Sequence, residues 1–137
     1  MTSPQLRRRA RERALQFLYG LDFTHHEDPE SLLEAFWRDN PSRPGARAYA
    51  ETLIRGVLAR QADLDGAITA ALDRWTPDRV GRIEQNILRI ALYEMRFTDD
   101  VPERVAINEA VEVAKRFGSD AAPRFINGVL DRLKAST

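Results

Sequence analysis

Arg82-Ile83-Glu84-Gln85-Asn86-Ile87-Leu88-Arg89-Ile90-Ala91-Leu92-Tyr93-Glu94-Met95-Arg96-Phe97 is the stretch whose reading decides the fold. Ile83, Ile87, Leu88, Ile90, Ala91, Leu92, Tyr93, Met95 and Phe97 recur at helical spacing and cover most of a helix circumference. A helix apolar on most sides is a buried central one.

Outward from it, the chain keeps the helical period. Pro102-Glu103 opens a helix with Ala106, Ile107, Ala110, Val111, Ala114 and Phe117 on its inner face, closed by Gly118 as a C-cap. Glu112 and Arg116, four residues apart, predict an ion pair on its outer face worth roughly 0.3 kcal/mol. Pro123 starts a final helix with Phe125, Ile126, Val129, Leu130 and Leu133. Asn127-Gly128 inside it is no hairpin turn, because neither flank alternates at period two. Gly128 is therefore expected to be a point of close helix packing. Before the central helix, Thr76-Pro77-Asp78 caps its start, with Pro77 at the first position. A helix after Asp63 carries Leu64, Ile68 and Leu72. Another, after the loop Asn40-Pro41-Ser42-Arg43-Pro44-Gly45, carries Tyr49, Leu53, Ile54, Val57 and Leu58. Asp28-Pro29-Glu30 opens a short amphipathic stretch with Leu32, Leu33, Phe36 and Trp37. No strand, repeat or low-complexity segment is evident. The expectation is an all-α fold, with residues 1–137 forming one domain.

The first helix carries the charge signal. Ser3-Pro4 reads as an N-cap followed by proline at the first helical position. Leu6, Ala10, Ala14, Phe17, Leu18 and Leu21 make one apolar stripe, and arginines take the rest of the circumference. Five of the seven residues 7–13 are arginine, although the chain has 21 basic and 21 acidic residues. Local placement, not net charge, must then attract any polyanion. A basic arm followed by the acidic segment 22–40 suits nucleic-acid binding, against the plainer alternative of a solvated helix face. Tyr19 lies eleven positions after Arg8 and so on nearly the same face. An exposed aromatic there can stack an unpaired base while arginines hold phosphates. The plainer reading of a lone tyrosine is that it rims the core.

Several chemistries lack their residues. Without cysteine there is no disulfide, thiolate metal site or cysteine nucleophile. His25 and His26 are adjacent, so their side chains diverge, and no soft ligand completes a metal set. The glycines form neither a phosphate loop nor a dinucleotide fingerprint. No serine sits in a nucleophile elbow. No apolar run approaches membrane-spanning length, and the basic start lacks a signal-peptide core. The expectation is a cytoplasmic protein without cofactor or enzymatic activity, and without a membrane partner.

The central stretch resembles the central helix of the NusB transcription antitermination family. Val101-Pro102 with Val105-Ala106-Ile107-Asn108-Glu109-Ala110-Val111-Glu112-Val113-Ala114-Lys115-Arg116-Phe117-Gly118 is similar to the family's next helix. Phe125-Ile126-Asn127-Gly128-Val129-Leu130-Asp131 is similar to its last. Arg7-Arg8-Arg9-Ala10-Arg11-Glu12, leading to Ala14-Leu15-Gln16 and Leu18-Tyr19, resembles its arginine-rich first helix. The resemblance implies about seven helices in two packed bundles and a non-enzymatic RNA-binding factor. Its implied partners are single-stranded boxA RNA of ribosomal leader transcripts, the small-subunit ribosomal protein NusE, and the RNA polymerase antitermination complex. Carried over by position, Arg7, Arg8, Arg9 and Arg11 form the basic arm, and Tyr19, Glu84, Arg89 and Phe125 complete the RNA surface. For Glu84 alone, a helix N-terminal acid favoured by the dipole is the simpler reading. Family members often carry acids before the last helix, whereas here Asp120 is followed by Ala121, Ala122 and Pro123. Glu94, Glu109 and Glu112 are expected to face the basic partner protein. Two other readings stay open: an RNA-binding piece of an RNA cytosine methyltransferase, for which a chain ending at Thr137 lacks a cofactor-binding sheet, and a helical adaptor for an acidic protein.

Overall fold

Residues 3–24, 27–72 and 80–135 are described in the computed structural model. Among them are seven helices and no strand: α1 (Pro4–Leu21), α2 (Pro29–Asp39), α3 (Pro44–Ala59), α4 (Gln61–Ala71), α5 (Arg82–Phe97), α6 (Glu103–Phe117) and α7 (Ala122–Leu133). His25, His26 and the Thr76-Pro77-Asp78 cap lie outside the described residues.

Capping chemistry sets the starts. Ser3 Oγ accepts from the Leu6 backbone N–H at the head of α1, and the Asp28 carboxylate does the same for Ser31 in α2. Helix α3 begins at Pro44, inside the expected loop, because proline's fixed φ already suits the first helical position. Helix α4 begins at Gln61, ahead of Asp63. Arg60 closes α3 and opens α4 at once, so the two abut without a loop. Helix α7 starts one residue before Pro123.

Helix α5 packs against α1, α3, α4, α6 and α7. On one side α1 lies along α3 with α2 at its flank, and on the other α6 lies along α7 with α4 beside it. The two groups share one continuous core through α5, in which Leu53, Ile54, Leu64, Ile68, Leu88, Leu92, Ile126 and Leu130 are fully buried. Each such side chain contributes about 1.5–3 kcal/mol of transfer free energy. Phe97, read as core, is instead exposed: it stacks on Tyr93 and lies under the Arg60 guanidinium.

Two readings of the sequence are corrected. Gly128 is not a packing contact, since a β-carbon there would meet nothing within 4 Å. The close approach occurs at Gly56, where a β-carbon would lie 2.1 Å from Tyr93 Cζ. Glu112 does not pair with Arg116. It holds Lys115 instead, while Arg116 reaches across to Glu12 on α1, with Nη1 2.9 and 3.0 Å from the two carboxylate oxygens.

Candidate nucleic-acid interface

The arginines of α1 divide by what α5 and α6 offer them. Arg11 points inward and is only 4% exposed. Its Nε and Nη2 each lie 2.9 Å from the buried Glu94 carboxylate of α5, and its Nη1 lies 3.4 Å from Glu109 of α6. The Tyr49 hydroxyl of α3 donates to the same Glu94 carboxylate. Burial works against the Arg11 charge, but the bonds to Glu94 outweigh it and raise its pKa. Burial and the neighbouring Glu94 carboxylate push the Tyr49 hydroxyl up, so it remains a donor at neutral pH. Arg11 therefore ties α1, α3 and α5 together and turns no guanidinium to solvent, contrary to its expected place in the basic arm.

Arg89 is likewise held inside. It forks onto Asp65 of α4 at 2.7 and 2.9 Å and donates to Asn86 Oδ1 at 3.0 Å. The buried Asn86 in turn donates to Asp22, just past the end of α1, and to the Arg82 carbonyl. Arg89 thus positions the junction of α1, α4 and α5.

Arg7, Arg8 and Arg9 are more open, yet each has a carboxylate partner. Arg7 pairs with Asp100 and lies over the Tyr49 ring at 4.9 Å. Arg8 forks onto Glu109 at 2.8 and 2.9 Å, and this pairing holds the Glu109 carboxyl below the usual carboxylate range. Arg9 reaches Glu12 at 3.4 Å. The Arg8 and Arg9 side chains remain about half exposed.

Further along α1, Tyr19 is 38% exposed, so it does not simply rim the core. Its ring meets Phe23 edge-on at 5.0 Å, and Phe23, at 57%, is the most exposed large apolar side chain among the described residues. The Arg82 guanidinium lies 5.1 Å from the Phe23 ring centre. Tyr19, Phe23 and Arg82 form an exposed aromatic and cationic cluster roughly 16 Å from Arg8 at the usual helical rise. Phe23 and Arg82 were missed because one follows the helical stripe in a loop and the other begins the central helix, whose apolar pattern drew the reading and whose implied RNA contacts were Glu84 and Arg89. Their signal is the combination of an aromatic just past a helix end and an arginine at a helix start.

Arg82 shares the first turn of α5 with Glu84, which faces the other way. Glu84 and Phe125 line one open groove of about 610 Å³ between the start of α5 and α7, together with Arg124 and Gly128. The Glu84 carboxylate lies beside Gly81 and Gly118, where a β-carbon would stand 2.2 and 3.2 Å from its oxygens. The fold therefore leaves Arg8 and Tyr19 on one side of α1, with Arg9 turned from them toward α3, and brings Glu84 and Phe125 into one groove, while Arg11 and Arg89 turn inward.

The acids expected to meet a basic partner are placed otherwise. Glu94 is 1% exposed and committed to Arg11, and Glu109 is committed to Arg8. Glu112 is the accessible one of the three, and it is paired with Lys115.

Residues 8–135 match the NusB family. The chain belongs to the NusB family. Among NusB relatives, the transcription antitermination protein of Geobacter sulfurreducens is 44% identical over 131 residues, covering 96% of this chain and 94% of the relative. That of Desulfotalea psychrophila is 47% identical over 134 residues, with 94% and 95% covered. A crystal form of T. maritima NusB superposes with a TM-score of 0.84 at 36% identity over 97% of this chain and 92% of that one. A complex of the antitermination factors NusB and NusE with double-stranded RNA matches at a TM-score of 0.81 and 27% identity, covering 94% and 96%. No helix among the described residues is long and apolar enough to cross a membrane.

Proposed function

We propose that this NusB-family chain is a transcription antitermination factor that binds RNA together with NusE, acting in the cytoplasm with the RNA polymerase antitermination complex. The RNA it reads is a single-stranded boxA-type element of ribosomal leader transcripts. Arg7, Arg8 and Arg9 hold phosphates, Tyr19 and Phe125 stack bases, and Glu84 accepts from a base amino group. Arg11 and Arg89 contribute by fixing the helices that present these groups.

The observation that carries this reading is the pairing, along α1, of the half-exposed Arg8 and Arg9 guanidinium groups with the exposed cluster of Tyr19, Phe23 and Arg82 at its far end. Exposed aromatic faces favour single strands, because a duplex keeps its bases stacked on each other. The solved complex of NusB and NusE relatives with double-stranded RNA supports both partner classes and makes the duplex the sharpest competitor.

The test is a fluorescence-anisotropy titration of a boxA-type single strand and of the matching duplex, each with and without NusE. The single strand should bind more tightly, and NusE should tighten it further. By linkage, RNA must tighten NusE binding by the same factor. Preference for the duplex, or RNA affinity indifferent to NusE, overturns the reading.

A further inference from the structure

The basic run on α1 has a second side. Between the first turns of α1 and the connection from α2 to α3 lies a hollow of about 540 Å³, lined by Ser3, Arg9, Arg13, Ser42, Arg43 and Ala46 among others. Its lining includes three arginines and no carboxylate residue. That sets it apart from the rest of the arm, where Asp100, Glu109 and Glu94 satisfy Arg7, Arg8 and Arg11.

Arg13 has only neutral partners: Ser42 Oγ at 3.1 Å, Asn40 Oδ1 at 3.2 Å and Gln16 Oε1 at 2.9 Å. Those bonds aim its guanidinium without neutralising it. Burial, followed by repulsion from Arg9, pulls the Arg13 guanidinium below its ordinary value, and the attraction of the Glu12 carboxylate offsets this only in part. The guanidinium remains protonated at neutral pH. Among the described residues Arg9 pairs with Glu12, at 3.4 Å, and Glu12 is more closely engaged by Arg116. Arg43 is exposed, and while its carbonyl accepts from the Arg47 N–H, its side chain makes no hydrogen bond or ion pair among the described residues. The start of α3 adds to the field, since Arg43 at its N-cap supplies no side-chain cap.

We propose that Arg9, Arg13 and Arg43 form a phosphate-binding pocket that holds a backbone phosphate of the RNA, on the α3 side of α1. The proposal rests on the RNA-binding reading above. Arg9 links the two places: it adjoins Arg8 in the first turns of α1, is half exposed, and also lines the hollow. A strand held at Arg8 thus reaches the pocket around the same end of α1. Forked guanidinium donors suit the oxygens of a phosphate, and the neighbouring serine hydroxyls add neutral donors. Because a phosphate carries no base identity, the pocket sets register and affinity and reads no sequence.

Arg43→Gln is the cleaner variant, as Arg43 has no partner to lose, and Arg13→Gln is the second. For each, RNA affinity is measured by anisotropy with the full chain against a boxA-type single strand across a salt series. Loss of one phosphate contact should flatten the log–log salt slope by about 0.7 and weaken binding roughly fivefold at 0.1 M salt. Parallel NMR titration of the RNA-free protein with sodium phosphate should shift the Arg13 Nε–H resonance. An unchanged salt slope in a folded Arg43→Gln protein overturns the proposal. If phosphate still shifts Arg13 in that case, the pocket takes a free phosphate and not RNA. A wild-type protein that binds no RNA would instead overturn the RNA reading itself, and the phosphate titration would report on the pocket separately.

Discussion

Replacing Arg11 with methionine tests whether the arm's innermost arginine serves RNA or the fold. The substitution keeps an unbranched chain of similar reach and removes the cation facing Glu94, which is 1% exposed. Among the described residues, only the Tyr49 hydroxyl would remain to satisfy that carboxylate from across the helices. Removing one partner of a buried pair costs about 3–5 kcal/mol, because the other charge is left uncompensated in a poor solvent. A chain of 137 residues unfolds with an entropy of roughly 0.29 kcal/mol/K near 60 °C, so the expected fall in Tm is about 10–17 °C. Calorimetric melts of Arg11→Met measure this directly. Adding Glu94→Leu removes the stranded charge, and the double variant should recover most of the loss. RNA titrations well below the lowered Tm should keep the parental salt slope, since Arg11 turns no donor to solvent. A variant that melts within about 3 °C of the parent, yet loses about 0.7 of the salt slope, would refute this assignment and return Arg11 to the RNA surface.

Three further outcomes follow from the same geometry. Glu109→Gln releases Arg8 from its intramolecular partner and should tighten RNA binding by up to about fivefold, the equivalent of roughly 1 kcal/mol for a partly exposed pair. The same variant carries a pH signature: Glu109 titrates below its ordinary 4.5 in the folded chain, so its stabilisation is present above that pH and is lost as pH falls through the lower folded value. Acid melts of Glu109→Gln should lack that part of the decline. Tyr19→Ala and Phe23→Ala should each weaken single-stranded RNA binding by about 1–3 kcal/mol with little change in Tm, and non-additively because the rings touch; a sharp loss of Tm instead would make them core. Gly128→Ala should stabilise α7 by up to about 1 kcal/mol, because the added methyl meets open space and restores helix propensity. A lowered Tm would refute that placement.

The sequence announced its helices through apolar spacing and proline-led starts, and α5 emerged from nine apolar residues in one stretch. Periodicity was blind to charges used inside. Arg11 counted as one more arginine of a solvated arm, yet it stands on the same stripe as Ala14, Leu15 and Leu18. Glu94 continues the stripe of Ile87, Ile90 and Ala91. Two opposite charges, each set into an apolar stripe, are the readable sign of a buried pair, and net-charge counting averages that sign away. Arg116 escaped for another reason. Its two possible partners, Glu112 one turn away and Glu12 a hundred residues away, differ only in how α1 and α6 pack, which local spacing does not encode. Gly128 was misread because glycine within a helix signals either a close neighbour or an open face. Gly56, which no motif marked, has the close neighbour.

The Glu94 hub also sets how the first helix comes loose. Terminal helices of a chain ordinarily fray, and their amide protons exchange through small local openings. Lifting α1 away here would withdraw Arg11 and leave the buried Glu94 carboxyl without its guanidinium partner, so partial opening loses its low-energy route. Amide protons in the middle of α1, around Ala14 and Leu15, should then exchange only when α3 and α5 open as well, with the free energy of global unfolding. An arm at the edge of the sequence is, by this measure, part of the slowest-exchanging unit of the molecule, and a ligand arriving at Arg8 and Arg9 meets a surface that is already ordered.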